Sequence, residues 1–345
     1  MTQHRRRDFL RLSAGVAALT GFAAKAALAD TVVKRPKTIF DAHAHLVSDD
    51  QMRYPRVPAT APSPFSGSLP AGVSGQPSAR FPYVPRAEPD VERVVQWMDE
   101  YQIDGIAAVQ KRGTYGFDNS YILDSAARYP KRFSPVVVLD ATDPATPDTL
   151  RALIRDRNLA GLRLTGGPAP DGSFPWLNSP AALRCWAVAD ADGLVMDLMV
   201  SAQPRSEAAI AAIVDLAKTY PNVRLVLDHA AFPNPQGAPD YGIDAVHSTL
   251  AGSGNIYVKI TTINLDVLRE SNITVEGFVR RVVDVFGADR VMWGSDLGNS
   301  SGDYAEMIDR MVEATALLSV DERRAVMHDT GRRVFVGGGT RQRTS

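Results

Sequence analysis

The chain has 345 residues, of which 45% are hydrophobic and 22% are charged. These proportions are ordinary for globular proteins, so collagen-like, coiled-coil and wholly disordered chains are excluded. With 38 basic and 39 acidic residues the formal net charge is −1, which gives no indication of a nucleic acid or an anionic membrane as partner. A single cysteine, Cys185, excludes an internal disulfide and a cysteine-rich metal or redox centre.

The first 29 residues have the pattern of an export signal. A basic start that includes Arg6 and Arg7 is followed by an apolar run over 12–24 and an Ala-Leu-Ala sequence at 27–29. This order is typical of a secretory signal peptide, and the paired arginines resemble the twin-arginine type. We therefore expect the twin-arginine translocation machinery to export the protein to the periplasm. An amphipathic helix belonging to the folded domain is the alternative.

Eight short apolar segments follow along the chain, and each precedes a segment with helical spacing. The predicted strands are 38–41, 105–110, 135–140, 161–165, 194–200, 223–228, 256–261 and 291–295. Because they are apolar throughout, they favour parallel strands that are covered on both faces. Helical periodicity is clearest over 208–217 and 275–286. Eight such units predict a single-domain (β/α)8 TIM barrel over 30–336, with a doubly wound open sheet as the alternative.

One long segment interrupts this alternation. Residues 53–90 contain nine of the 23 prolines and are otherwise rich in Gly, Ser and Ala. They predict a long irregular loop after the first strand, which in a barrel lies on the catalytic face. The loop either covers the mouth of the barrel or is a plain insertion. Residues 337–345 are expected to form a disordered tail.

Polar residues collect where several predicted strands end. The first strand runs into an Asp-Ala-His-Ala-His sequence, and because side chains alternate along a strand, His43 and His45 point the same way. The sixth strand is followed by His229, and the eighth by Asp296. Barrels carry their catalytic residues at the carboxyl ends of the strands, so we expect these four side chains to meet. For any one of them alone, a satisfied buried polar group is the alternative.

In these motifs the chain resembles the amidohydrolase superfamily, in its amidohydrolase 2 branch. The matching segments are 40–45, 116–120, 161–164, 226–229, 257–259 and 292–296. The likeness extends over 38–336. Within the branch, the motifs are most similar to those of the group of 2-pyrone-4,6-dicarboxylate lactonase and sugar lactonases, and metal-dependent decarboxylases are the second relatives.

This resemblance implies a hydrolase that acts on a lactone or a carboxylic ester. Asp296 would take a proton from the attacking water, and His43, His45 and His229 would surround the carbonyl. Arg163 would bind a carboxylate of a small-molecule substrate, because its planar guanidinium matches that group. Barrels of this family often pair, so a homodimer is one expectation.

Three further side chains have open roles. Lys259 is a candidate second contact to an anionic substrate or an ion-pair partner for Asp296. Asn119 could face the pocket or could hold the loop after the second strand by a local hydrogen bond. His247 lies in a helical segment and is expected to be a surface or packing residue.

Departures from the family pattern bear on the metal and the substrate. Metal-dependent members add a histidine from the fifth strand, and 196–200 contain none. We therefore expect no required cofactor; if zinc or manganese is bound, His43, His45 and Asp296 are its ligands. The dicarboxylate lactonase has a substrate-binding arginine shortly after its sixth strand, and this chain has Phe232 near that place. The loss of this carboxylate contact favours a less charged lactone or ester as substrate. The alternatives are a metal-dependent decarboxylase and a periplasmic binding protein without catalysis.

Overall fold

The computed structural model describes residues 33–58, 88–200 and 207–336. The predicted signal, the predicted tail and most of the proline-rich loop lie outside these ranges. The described residues from Arg35 onward form one compact unit. None of the helices in the described ranges combines the length and the apolar character that crossing a membrane requires.

Eight parallel strands form one sheet whose order follows the chain. They are β1 (Ile39–Ala44), β2 (Ile103–Val109), β3 (Phe133–Val138), β4 (Gly161–Gly166), β5 (Val195–Val200), β6 (Arg224–Leu227), β7 (Ile256–Thr261) and β8 (Val291–Gly294). A parallel bridge between Ala44 and Leu297 brings the first strand beside the end of the last, so the sheet is a nearly closed barrel. The predicted (β/α)8 barrel is confirmed. Strand ends differ from prediction by at most two residues except in β1, which continues to Ala44.

Helices alternate with these strands. They are α1 (Val91–Glu100), α2 (Arg112–Tyr115), α3 (Ser120–Arg128), α4 (Thr146–Arg157), α5 (Pro175–Asn178), α6 (Pro180–Asp192), α7 (Glu207–Thr219), α8 (Ala245–Ala251), α9 (Thr262–Glu270), α10 (Val275–Phe286), α11 (Tyr304–Ala314), α12 (Val320–Arg324) and α13 (Thr330–Phe335). Both helical periodicities found in the sequence fall on helices, α7 and α10. A π-helical turn, Ala325–Asp329, joins α12 to α13.

The alternation of side chains along β1 separates an apolar core from a polar site. Phe40 and Ala42 join a buried apolar cluster that includes residues of five other strands and the end of α13. The ring of Phe40 stacks on that of Phe335, with centroids 6.4 Å apart. His43 and His45, two residues apart, are buried in the polar site described next.

Candidate active site

The paired histidines at the end of β1 face each other at the carboxyl end of the barrel. Their Nε2 atoms are 3.3 Å apart, and both rings are buried. The Nδ1 atom of His45 lies 2.8 Å from the carbonyl oxygen of Val109. Because a carbonyl can only accept, Nδ1 of His45 carries a hydrogen, and Nε2 faces the site.

Asp296 follows β8 and is joined to β1 through its backbone. Its N–H donates to the carbonyl of His43 at 2.7 Å. Oδ2 accepts hydrogen bonds from Ser300 Oγ at 2.8 Å and from Asn299 Nδ2 at 3.2 Å. Oδ1 lies 3.4 Å from Nε2 of His45 and 3.5 Å from Nε2 of His43. This fully buried oxygen makes no hydrogen bond with any described residue.

The charge of Asp296 is set by its neighbours. Burial alone would raise its pKa, but the imidazoles of His45, His229 and His43, in the forms that carry a proton toward it, outweigh burial and hold the pKa below its usual value. The carboxylate is therefore ionised at neutral pH. Its unpartnered oxygen is available to accept a proton or to bind a cation.

A buried ion cluster supports His43 from behind. Asp228 Oδ1 lies 3.0 Å from Nδ1 of His43, and Lys259 Nζ lies 3.2 Å from the same nitrogen. Lys259 also donates to Asp228 at 3.0 Å and to Asp197 at 2.6 Å. Arg163 Nε donates to the second oxygen of Asp228 at 2.7 Å. The cluster thus contains two cationic and two carboxylate side chains, and all of them are buried.

The two carboxyl groups of the cluster differ in acidity. Burial and the nearby charge of Asp228 raise the pKa of Asp197. Burial also disfavours the charged form of Asp228, but Lys259 and Arg163 outweigh that effect and hold its pKa well below the usual value. Burial lowers the pKa of His43 well below its usual value, so the ring is neutral at neutral pH.

His229 stands on a turn with an unusual backbone. From His229 to Phe232 the φ angles are 52°, 50°, 56° and 50°, in the left-handed region. This conformation costs roughly 1–2 kcal/mol for each residue with a side chain. The ring centroid of His229 lies 5.4 Å from that of His43. The turn therefore places the third predicted histidine beside the first, at an energetic cost that its surroundings must offset.

The four predicted catalytic side chains thus meet in one buried site at the ends of β1, β6 and β8. This site lies within residues 40–336, which match the family model described as amidohydrolase, in its amidohydrolase 2 branch. The chain belongs to the amidohydrolase family. The resemblance seen in the sequence motifs is confirmed.

Curated relatives of this amidohydrolase include an L-fucono-1,5-lactonase from Burkholderia ambifaria, 30% identical over 198 residues. That match covers 54% of this chain and 64% of the lactonase. The chain spans less than two thirds of the length of the curated relatives it matches.

Two solved structures share the barrel of this amidohydrolase. A protein described as a 2-pyrone-4,6-dicarboxylic acid hydrolase from Pseudomonas putida is 21% identical with a TM-score of 0.60, covering 87% of this chain and 98% of its own. An amidohydrolase from Burkholderia multivorans with bound zinc is 20% identical with a TM-score of 0.60, covering 86% of this chain and 99% of its own. At these identities the likeness shows the fold.

The site of this amidohydrolase fits a divalent cation. His43, His229 and Asp296 each offer one ligand atom, and these atoms lie within 4.8 Å of one another. Oδ1 of Asp296 is buried without a hydrogen-bond partner among the described residues, and Nε2 of His45 lies beside it. Imidazole nitrogens with a carboxylate oxygen are a usual ligand set for zinc. The expectation that no metal is required therefore gains no support, and His229 joins the three predicted ligands.

The structure pairs the predicted substrate contacts with other protein groups. Lys259 forms ion pairs with Asp197 and Asp228. Among the described residues, no ion pair joins Lys259 to Asp296. Arg163 also donates to Asp228, with 4% of the residue exposed. A contact of either side chain with substrate stays a prediction.

Asn119 holds the loop after β2, which is the second role left open by the sequence. Its Nδ2 donates to the carbonyls of Phe117 and Val138, both at 2.9 Å. Its Oδ1 accepts from the N–H of Val138 at 2.8 Å. Both amide hydrogens of Asn119 are donated to these carbonyls. This arrangement does not favour the predicted contact of Asn119 with substrate.

Proposed function

We propose that this amidohydrolase hydrolyses a lactone or a carboxylic ester. The observation that carries the proposal is the convergence of an unpartnered, ionised Asp296 oxygen with the ring nitrogens of His43 and His45 in a buried site at the strand ends. The family and the similarity to a lactonase support this class of substrate.

The residues divide the reaction between them. Oδ1 of Asp296 takes a proton from water, whose oxygen attacks the carbonyl carbon, and the proton then passes to the leaving alkoxide oxygen as the carbon–oxygen bond breaks. Ser300 and Asn299 hold Oδ2 and so leave Oδ1 toward the reacting atoms. A zinc or manganese ion held by His43, His45, His229 and Asp296 would supply Lewis acidity toward the carbonyl oxygen.

The ion cluster favours a substrate of low charge. Lys259 is paired with Asp197 and Asp228, and Arg163 with Asp228, so neither cation stands unpaired to attract a dianion. A substrate with at most one carboxylate, which Arg163 would contact through its guanidinium, fits this pairing. We therefore propose a neutral or singly charged lactone or ester, in place of a pyrone dicarboxylate.

The first prediction tests the proton acceptor. Asp296→Asn keeps the size of the side chain and removes its charge, so kcat/KM should fall by about 10²–10⁴-fold. Turnover is measured by acid release over a panel of sugar lactones and aryl esters. Asp284→Asn, at a carboxylate that is 53% exposed, is the control and should act as the wild type. Normal turnover by Asp296→Asn would overturn the assignment.

The same panel, with aromatic carboxylic acids added, separates the alternatives. Tight binding of a lactone without turnover would favour a binding protein, and release of carbon dioxide from an aromatic carboxylic acid would favour a decarboxylase. Either result in the wild type, with every lactone and ester inert, would overturn the proposed hydrolase.

The second prediction concerns the metal. A cation that binds only the folded chain stabilises it by about 2.7 kcal/mol at 100 times its Kd. Zinc or manganese added to chelated protein should therefore raise the Tm, and metal analysis of protein purified without added metal should find it. His43→Gln should remove the Tm response, while His328→Gln, outside the site, should keep it. An unchanged Tm with full activity after chelation would refute a required metal.

A further inference from the structure

The turn that carries His229 is held from outside by two buried side chains. Asn264 Nδ2 donates to the carbonyl of His229 at 2.9 Å, and His247 Nε2 donates to the carbonyl of Ala230 at 3.1 Å. Four successive left-handed residues without a glycine persist only where such contacts over-determine the backbone. His247 is completely buried, so of its two expected places, the surface or the packed interior, it occupies the interior, and its packing includes a specific bond to this turn.

His247 is itself fixed by the start of α8. Asp244 caps this helix, and the His247 ring accepts from the backbone N–H of Asp244 at 3.3 Å in a capping box. One ring nitrogen of His247 therefore bonds to the helix cap, and the other bonds to the turn. This arrangement couples the position of α8 to the backbone of His229.

A hydroxyl group connects Asn264 to the ring of His229. Because Asn264 Nδ2 faces a carbonyl, its Oδ1 must face Thr261, where it accepts from the backbone N–H at 3.0 Å and from Oγ1 at 3.3 Å. Thr261 Oγ1 lies 2.7 Å from Nδ1 of His229. The hydroxyl has one hydrogen, and when Asn264 accepts it, the oxygen of Thr261 accepts from Nδ1 of His229.

We propose that Thr261, Asn264 and His247 are positioning residues that hold His229 with its hydrogen on Nδ1 and the lone pair of Nε2 toward the site. Nδ1 of His229 is hydrogen-bonded to Thr261. Nε2 is therefore the ring nitrogen that remains to join His43 and Asp296 in the candidate metal site. These hydrogen bonds lie within the protein, and only their consequence for catalysis rests on the proposed function.

This tautomer decides what His229 can do. A neutral ring with hydrogen on Nδ1 cannot donate from Nε2 to a developing oxyanion, but it can bind a cation through that nitrogen. His45 is held in the same tautomer by the carbonyl of Val109. In their neutral forms both rings therefore present acceptors near the unpartnered oxygen of Asp296, which assigns His229 to cation binding rather than to donation.

The test compares matched variants that keep or remove one hydrogen bond. Thr261→Ser keeps the hydroxyl, and Thr261→Val removes it with little change of shape. His247→Gln retains an amide donor for the Ala230 carbonyl, and His247→Leu retains only volume. Partners outside a metal's ligands change its affinity by about 10–100-fold when lost. We expect this weakening of zinc binding in the Val and Leu variants, and near wild-type affinity in the Ser and Gln variants.

The tautomer itself is read by ¹⁵N NMR of histidine-labelled, metal-free protein at one pH. The His229 signals are assigned by their loss in His229→Gln. We expect hydrogen on Nδ1 in the wild type and Thr261→Ser, and a redistribution toward Nε2 in Thr261→Val. Hydrogen on Nε2 in the wild type would overturn the proposal, as would wild-type zinc affinity in both Thr261→Val and His247→Leu.

The readouts also separate this inference from the proposed function. The tautomer is measured without substrate, so hydrogen on Nδ1 of His229 in a wild type that leaves every lactone and ester inert would overturn the proposed hydrolase and leave the positioning role intact. Circular dichroism checks the fold of each variant. Should Thr261→Val fail to fold, the zinc affinities of His247→Gln and His247→Leu test the positioning role instead. Equal, wild-type affinities of these two variants would overturn it.

Discussion

Asp228 shows how much of the site depends on a single side chain. Its two oxygens meet His43, Lys259 and Arg163, and it has no exposed surface. Two cations in the barrel interior are stabilised by this carboxylate. Its loss would leave them without full compensation, because a buried charge is costly unless it is paired.

The third prediction follows from this arrangement. Asp228→Asn should lower the free energy of unfolding by about 3–5 kcal/mol, the usual effect of removing one partner of a buried ion pair. Urea unfolding measures it. Asp148→Asn removes the partner of Arg151 in an exposed pair, and should change stability by less than about 1 kcal/mol. Equal effects of the two variants would contradict the role given to Asp228.

Single residues were predictable where position in a strand fixes direction. His43, His45, His229 and Asp296 were found because each follows the apolar part of a strand, and strand ends share one face of a barrel. Asp197 was missed, although a lone carboxylate within the apolar sequence of β5 is itself a signal of a buried partner. The partner of Lys259 could not be predicted, since several carboxylates lie on neighbouring strands.

At the scale of elements, Asp41 joins β1 to β8 and α11. Its Oδ1 accepts from the backbone N–H groups of His43 at 3.0 Å and Ser295 at 2.9 Å. Its Oδ2 accepts from Ser295 Oγ at 2.5 Å and from the hydroxyl of Tyr304 at 2.8 Å. Burial raises the pKa of Asp41 to about 6, although these hydrogen bonds oppose the shift. One carboxylate thus fixes the strand ends that carry the site.

The fourth prediction uses this pKa. Tyr304→Phe removes a hydrogen bond that favours the charged form of Asp41, so the loss of stability should be larger above pH 6 than at pH 5. At high pH we expect about 1.5–3 kcal/mol, as for hydrogen bonds to charged groups. Urea unfolding at pH 5 and pH 8 measures the difference. Tyr220→Phe, whose hydroxyl meets an exposed backbone carbonyl, should show no such pH dependence.

Elements were predicted well where hydrophobic periodicity is strong and poorly where tertiary contacts decide. The eight strands and helices α7 and α10 follow from their apolar patterns. The left-handed turn after β6 has no such signal, because His-Ala-Ala-Phe contains neither glycine nor asparagine. Bonds from Asn264 and His247, which lie on other elements, determine it.

At the scale of the molecule, the number of β/α units predicted one barrel, and the alternation of segments was enough for that conclusion. The export signal is a prediction of another kind, because residues 1–29 lie outside the described ranges. A twin-arginine pattern is an address that a receptor reads, so it is predicted from the order of residue types and not from hydrophobic periodicity.

The fifth prediction concerns this signal. Replacing both Arg6 and Arg7 by lysine should keep the charge but stop export, leaving the protein in the cytoplasmic fraction. Arg5→Lys, outside the pair, should be exported normally. Fractionation of cells with an antibody to the barrel measures both, and periplasmic recovery of the double variant would refute the twin-arginine interpretation.

The contact between β1 and β8 has a consequence for the order of synthesis. Asp41 and Ser295, which meet at 2.9 Å, are 254 residues apart in the chain. The histidines of β1 therefore leave the ribosome long before Asp296, and a nascent chain that lacks β8 has no complete site. The proposed hydrolysis would therefore begin only when the barrel has closed, and the first activity of a newly made molecule would report the completion of its folding.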